Sequence, residues 1–310
     1  MSERTTDPGP GAAYEIEPRN KYFEAIRAIA EYEIRPGNTV TFITEVDLTE
    51  VERIRERATG GRKPSYTAFV VKAVALALCD FPYANRRVCR RPWLPFSGPR
   101  LQKFHHRDVA VACERDIPGA ESIAFLDIVR DADRLSLAEI TEVLHDLAVC
   151  DVSTNQQWRE FSTLVTRLPS WLSTRLIRLP CLVPSLWGKY RGGAVLVSSP
   201  AKYGVDVVAG AWTHPLGVSF GLAKRRPVVR GEAIVACPTF ALTLNFDRRV
   251  MAGAQAARLF RRLAELLETA ETEMERSNVP PEIVARSAPH APMPEDVPSM
   301  ESPIPESCRS

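Results

Sequence analysis

The chain has 310 residues, 45% hydrophobic and 25% charged, a globular composition that excludes wholesale disorder and suffices for one large domain or two ordinary ones. Forty Lys and Arg against 38 Asp and Glu leave a formal charge of +2, which gives no electrostatic case for a nucleic-acid partner. The seven cysteines (Cys79, Cys89, Cys113, Cys150, Cys181, Cys237 and Cys308) form no CxxC pair and no zinc spacing, so no metal site is expected and a reducing compartment is.

Residues 1–12, rich in Gly, Pro and Thr, read as a disordered N-terminal tail without an apolar signal core. Thr39 to Leu48 alternates apolar and polar residues, as a half-buried strand does. Thr49 starts a helix to about Arg57, ended by Gly60-Gly61. Ser65 opens a second helix, whose wide apolar face (Phe69, Val70, Ala73, Val74, Ala77, Leu78) stops near Pro82. Asp108–Cys113 reads as a strand, and Ser136-Leu-Ala-Glu139 as a capping box heading a helix to about Ala148. From Phe161 to Tyr190 an apolar, aromatic stretch punctuated by arginines is broken into short helices by Pro169, Pro180 and Pro184. Ala194–Ser199 and Leu216–Leu222 are strands, and Pro227–Val235 is a hairpin turning at Arg230-Gly231. Thr239–Phe246 is another strand, and Ala254 to about Glu268 a helix with Leu259, Phe260, Leu263, Leu266 and Leu267 on one face. Residues 276–310, with prolines at eight positions from 280 to 305, read as a disordered tail. Residues 13–275 are therefore expected to form one mixed α/β domain, with no Gly-rich phosphate loop and no membrane span, in a cytoplasmic protein.

Three stretches resemble, in order, the catalytic (E2 core) domain of the dihydrolipoamide acyltransferases of 2-oxoacid dehydrogenase complexes. They are Val129-Arg-Asp-Ala-Asp-Arg-Leu-Ser-Leu-Ala-Glu-Ile140, Gly192-Gly-Ala-Val-Leu-Val-Ser-Ser199 and Leu242-Thr-Leu-Asn-Phe-Asp-Arg-Arg-Val-Met-Ala-Gly253. The resemblance spans roughly residues 18–270. It implies the chloramphenicol acetyltransferase-like fold, a two-layer α/β sandwich with a mixed sheet, usually a homotrimer with active sites between subunits. It also implies a coenzyme A thioester as cosubstrate and no tightly bound cofactor. The lipoyl domain that precedes such a core has no counterpart here, so a freestanding catalytic domain is expected.

The third stretch departs from the family's Asp-His-Arg-Val-x-Asp-Gly. Arg248 stands at the place of the catalytic His and Ala252 at that of the second Asp. A guanidinium stays protonated near neutrality and cannot take a thiol proton. Arg248 is thus read as a ligand for a carboxylate or phosphate, as a plug of the channel, or as one half of a structural ion pair.

Ser198 falls on the family's oxyanion-donating hydroxyl, or else is a small polar residue at a strand end. His214 is the candidate replacement base or ligand contact, or a loop histidine without a role, and Ser199, Thr213 and Arg249 are the remaining candidates for substrate binding. His105, His106, His145 and His290 suggest no catalysis, and Cys237 reads as a small buried residue. The stretch Phe161–Tyr190 is read as cover for the core or an interface, and also fits a substrate-access cover for a hydrophobic acyl chain.

Two functions are compatible with these residues. One is acyl transfer from a CoA or acyl-carrier-protein thioester to a small-molecule hydroxyl or thiol. The other is a catalytically inactive ligand-binding or assembly subunit.

Overall fold

A computed structural model of the chain describes residues 20–34, 37–58, 61–89, 100–117 and 121–276, all within one compact unit. Apart from residue 276, both expected tails lie outside these residues, as do His290 and Cys308. Seven strands form a mixed sheet in the order β1 (Thr39–Asp47), β9 (Ala233–Asp247), β7 (Leu216–Phe220), β6 (Val195–Ser198), β4 (Val109–Arg115), β5 (Ile123–Val129), with β8 (Lys224–Arg230) pairing along the first half of β9. β6 runs parallel to both its neighbours, and every other pair is antiparallel. A separate two-stranded ribbon joins β2 (Arg86–Cys89) to β3 (Arg100–Lys103).

One sheet face carries the main core. Against it pack α2 (Thr49–Arg57), α3 (Tyr66–Asp80), α4 (Leu137–Val149), α9 (Gly253–Glu268) and α10 (Ala270–Arg276), burying Phe69, Leu78, Ile140, Leu259 and Leu263 against Val195, Val197, Leu242 and Leu244. The capping box is complete: the Ser136 hydroxyl accepts from the Glu139 amide, and Glu139 accepts from the Ser136 amide. The two C-terminal strands expected separately, to Val235 and from Thr239, are one continuous strand of 15 residues. Pro238 interrupts neither ladder badly, because it lies near the end of the β8 pairing and just beyond that of β1.

The signature turn at Arg130–Asp133 is pinned from two sides. The Asp108 carboxylate accepts from the Asp131 amide (2.9 Å) and from Arg130 Nη1 (2.6 Å), while Asp131 takes a left-handed φ of 42°. Lys72, fully buried in α3, donates to the carbonyls of Asp133 and Leu135. The glycines that lead into β6 are as closely constrained. A Cβ on Gly193 would stand 2.5 Å from the Asp108 carbonyl oxygen, and Gly192 has φ 74°.

The expected two-layer sandwich gains a third layer at one end. On the opposite face lie α1 (Lys21–Glu33), α5 (Gln156–Arg167), α6 (Ser170–Ile177), α7 (Leu179–Leu182) and α8 (Pro184–Arg191). Pro169, Pro180 and Pro184 stand at the N-cap of α6, the second residue of α7 and the first of α8, where a missing N–H costs no helical bond. Ile123, Phe125 and Trp158 form one small cluster beneath this layer, and Ala25, Val165 and Ile177 another. Asn155 fixes the start of α5 by accepting from the Trp158 amide and donating to Asp127, itself ion-paired with Arg115 inside the protein. Among the described residues no helix is long and apolar enough to cross a membrane.

Candidate functional site

Along β6 the side chains alternate. Val195 and Val197 enter the main core, while Leu196 and Ser198 face the layer formed by α1 and α5–α8. Ser198 ends the strand where two hollows meet. The first is an apolar cavity of about 520 Å³ between the sheet and the covering helices. The second is a wider recess of about 940 Å³ with Arg62, Lys63, His145 and Lys202 on its wall together with Glu114, which pairs with Lys202, and Asp116. Among the described residues the Ser198 hydroxyl has no hydrogen-bond partner. It is free to donate into either space. Ser199 differs: its hydroxyl donates to the Phe220 carbonyl (2.8 Å) and accepts from the Ala201 amide.

His145, which suggests no catalysis in the sequence, lies within α4. Yet Thr141, Leu144, His145 and Ala148 follow the i, i+3, i+4, i+7 spacing of one helix face, and all four border the recess. Cys113 borders it too, but burial pushes its thiol up to about 12, so it is no thiolate near neutrality.

The other candidates gather at the far end of β6. Thr213 and Trp212 line both the apolar cavity and a small polar pocket shared with Glu33, His214, Asp247 and Arg249. His214 is 5% exposed and donates Nε2–H to the Arg191 carbonyl (2.9 Å), with Nδ1 3.4 Å from the Thr213 hydroxyl. Burial, then the charge of Arg191, hold its pKa well below 6.5, so the ring is neutral. Arg249 is held bidentately by Asp247, which keeps its guanidinium charged. Two donors at this end, Arg191 Nε and Trp212 Nε1, are buried without a hydrogen-bond partner among the described residues.

Because the folded state binds less proton at His214 than the unfolded chain does, stability is full above the unfolded pKa of about 6.5 and falls as pH drops below it. Urea midpoints measured from pH 7 to 5 should decline more steeply for the native chain than for His214→Gln; parallel curves would show that the ring is not buried neutral.

Arg248 is exposed, and only its backbone amide is engaged, by the Asn38 carbonyl (2.8 Å). Its side chain makes no ion pair with any described residue. Nor does one chain bring Arg248 to Ser198. Ser198 pairs through Ser219 with Thr243, two strands away, and Asp247 lies four residues further along β9, on the order of 16 Å in all. Ala252 is the N-cap of α9. Gln255 accepts from its amide (3.1 Å), but the alanine methyl returns nothing to the first helical turn. Ala252→Asp should therefore stabilise the fold by about 1 kcal/mol, read as a raised urea midpoint at unchanged slope; no gain would mean that α9 starts elsewhere.

Comparison with known proteins places this geometry. The family described as 2-oxoacid dehydrogenases acyltransferase (catalytic domain) matches residues 35–161 and 188–275, well over half of the chain. The dihydrolipoyllysine-residue acetyltransferase component of the pyruvate dehydrogenase complex from Bacillus subtilis is 26% identical over 261 residues, covering 81% of this chain and 50% of that protein. The corresponding component from Staphylococcus epidermidis is 24% identical over 255 residues, 79% of this chain and 50% of that protein. The chain thus spans about half the length of the curated relatives it matches. The cubic core of a pyruvate dehydrogenase multienzyme complex shares the fold at TM-score 0.58 and 20% identity, over 86% of this chain and 99% of that one. A probable dihydrolipoamide acetyltransferase from Listeria monocytogenes does so at TM-score 0.56 and 19% identity, over 83% and 95%.

Proposed function

Because the chain belongs to the family of 2-oxoacid dehydrogenase acyltransferase catalytic domains, we propose that it transfers an acyl group from a coenzyme A or carrier-protein thioester to a hydroxyl or thiol of a small molecule. The observation that carries this reading is Ser198, a hydroxyl unpaired among the described residues at the meeting point of an apolar cavity and a recess of mixed charge. The acceptor oxygen or sulfur attacks the thioester carbonyl carbon, and the resulting oxyanion accepts a hydrogen bond from Ser198. The carbon–sulfur bond then breaks, and the thiolate leaves with the proton that the acceptor gave up. Lys63, exposed and without an ion pair among the described residues, suits a phosphate of the donor, while Arg62 beside it is paired with Glu142 (3.0 Å).

Arg248 cannot carry the proton. In this reading His145, on the wall of the recess that Ser198 borders, accepts it, while His214 and Thr213 shape the far wall and Arg249 holds the β9 end through Asp247. A homotrimer with sites between subunits places Arg248 of one protomer by Ser198 of the next, where its free guanidinium meets the departing thiolate or a donor phosphate. The six described cysteines are all free thiols, in keeping with a cytoplasmic protein.

A second reading, a ligand-binding or assembly subunit without turnover, is favoured by the same Arg248 and by Ala252, since neither supplies the chemistry of the residues they replace. Thiol release from acyl-CoAs of increasing length, with and without dihydrolipoamide or simple alcohols, separates the two. Acceptor-dependent release supports transfer. No release, at enzyme concentrations that would show a rate ~10⁴ below that with an efficient base, leaves the subunit.

A further inference from the structure

The apolar cavity has a wall that the family does not supply. Residues 162–187 fall in the gap between the two matched segments, and Leu164, Leu176 and Leu186 of the cavity all come from that gap. With Ile26 and Ile29 of α1 they roof the sheet above Leu196, and Phe161 closes one side. Leu164, Leu176, Leu186, Ile26 and Ile29 are only partly buried although helices surround them. Their exposed area borders the empty volume, where a compact core would have packed them against one another.

Gln157, Glu160 and Tyr190 line the cavity from α5 and α8, and polar groups also sit at both ends of β6. Ser198 marks one, with its free hydroxyl; Arg191, Trp212 and Thr213 mark the other. A cavity of about 520 Å³ lies within the rough 300–1,000 Å³ range of small-molecule sites. A methylene needs about the space of a water, roughly 30 Å³, so a chain of about ten carbons fits with room for its bends.

We infer that this cavity binds the acyl chain of a medium- or long-chain thioester, its carbonyl at Ser198 and its tail running under α5–α8 toward Arg191. The inference rests on the transfer reading for the identity of the head group, and on the cavity alone for the chain. The substrate class is a fatty acyl thioester, supplied by a reaction that activates or elongates alkanoic acids.

The test titrates the full chain calorimetrically with butyryl-, octanoyl- and dodecanoyl-CoA and with free decanoate, beside the thiol-release assay. Affinity should tighten about fourfold per added methylene, on the order of 10²-fold from butyryl to octanoyl, and decanoate alone should bind. Leu164→Trp from the roof and Ile26→Trp from α1 should each weaken dodecanoyl-CoA at least tenfold, with melting temperatures verifying that each variant is folded. Length-dependent binding without thiol release upholds the cavity and defeats the transfer reading. Thiol release with equal affinity for all lengths, or tight dodecanoyl binding in both folded tryptophan variants, overturns the cavity inference and leaves transfer standing.

Discussion

Ser198→Ala is expected to lower acceptor-dependent thiol release by ~10²–10³-fold while leaving the melting temperature within a degree or two. The size of the effect follows from what the hydroxyl does not do in the resting protein. It holds no described neighbour, so its removal breaks no structural bond and leaves no buried partner unsatisfied. All of its hydrogen-bonding capacity is available to charge that develops on the thioester oxygen. Ser199→Ala is the informative control. That hydroxyl ties the end of β6 to the Phe220 carbonyl, so its loss should cost stability, about 1 kcal/mol, more than turnover. Measured side by side, the two variants give opposite patterns of rate and stability. A Ser198→Ala rate within twofold of the native value would remove the residue from the mechanism.

Trp187→Ala is expected to destabilise the fold by about 3–5 kcal/mol, a fall in melting temperature on the order of 10 °C. The indole is completely buried. The Arg87 guanidinium carbon lies 3.9 Å from its centroid and that of Arg191 5.3 Å away, and the His214 ring packs at 5.3 Å. Its Nε1 donates to the Gly193 carbonyl (3.0 Å), which locks α8 to the tight Gly192-Gly193 entry of β6. Truncation would leave a hole between two buried cations, Arg87, which keeps Glu33 and Gln102, and Arg191, which keeps the Thr213 carbonyl. Trp187→Phe keeps the ring face but loses the donor, and should cost clearly less. If Trp187→Ala melted within about 2 °C of the native chain, α8 would not be anchored through this residue.

The main core and its helices were legible because their signals are local. The Ser136–Glu139 box, the alternation in β1 and the apolar stripe of α9 each state a period or a cap directly in the sequence. The motif resemblance was legible for the same reason, in that Asp108, Lys72 and Gly193 impose close backbone geometry on the stretches that carry it. The third layer was legible only in part. Its prolines announced short helices, but α1 escaped notice because what it buries is Ala25 and Ala28, too small to mark a stripe. Strand β5 escaped because Phe125 and Leu126 are adjacent, and as an edge strand it sends apolar side chains to both sides. The cavity had no sequence signal at all: a leucine that fills a core and one that lines a void are written alike. The free state of the Ser198 hydroxyl and the committed state of His214 depend on partners that are far away along the chain or absent, and no spacing rule reports either.

The proline joints of the covering layer have a kinetic consequence. Helices α6, α7 and α8 contain eight, four and eight residues, and each new one begins at or beside a proline. Segments that short hold few internal bonds, so α6, whose Trp171 and Arg175 stay exposed, opens at a free energy well below that of global unfolding, whereas α8, anchored by Trp187, and α3, buried along most of its 15 residues, open only with the domain. Local opening of α6 widens a space that already meets the recess at Ser198, and it does so without loosening the sheet that holds Ser198 in place.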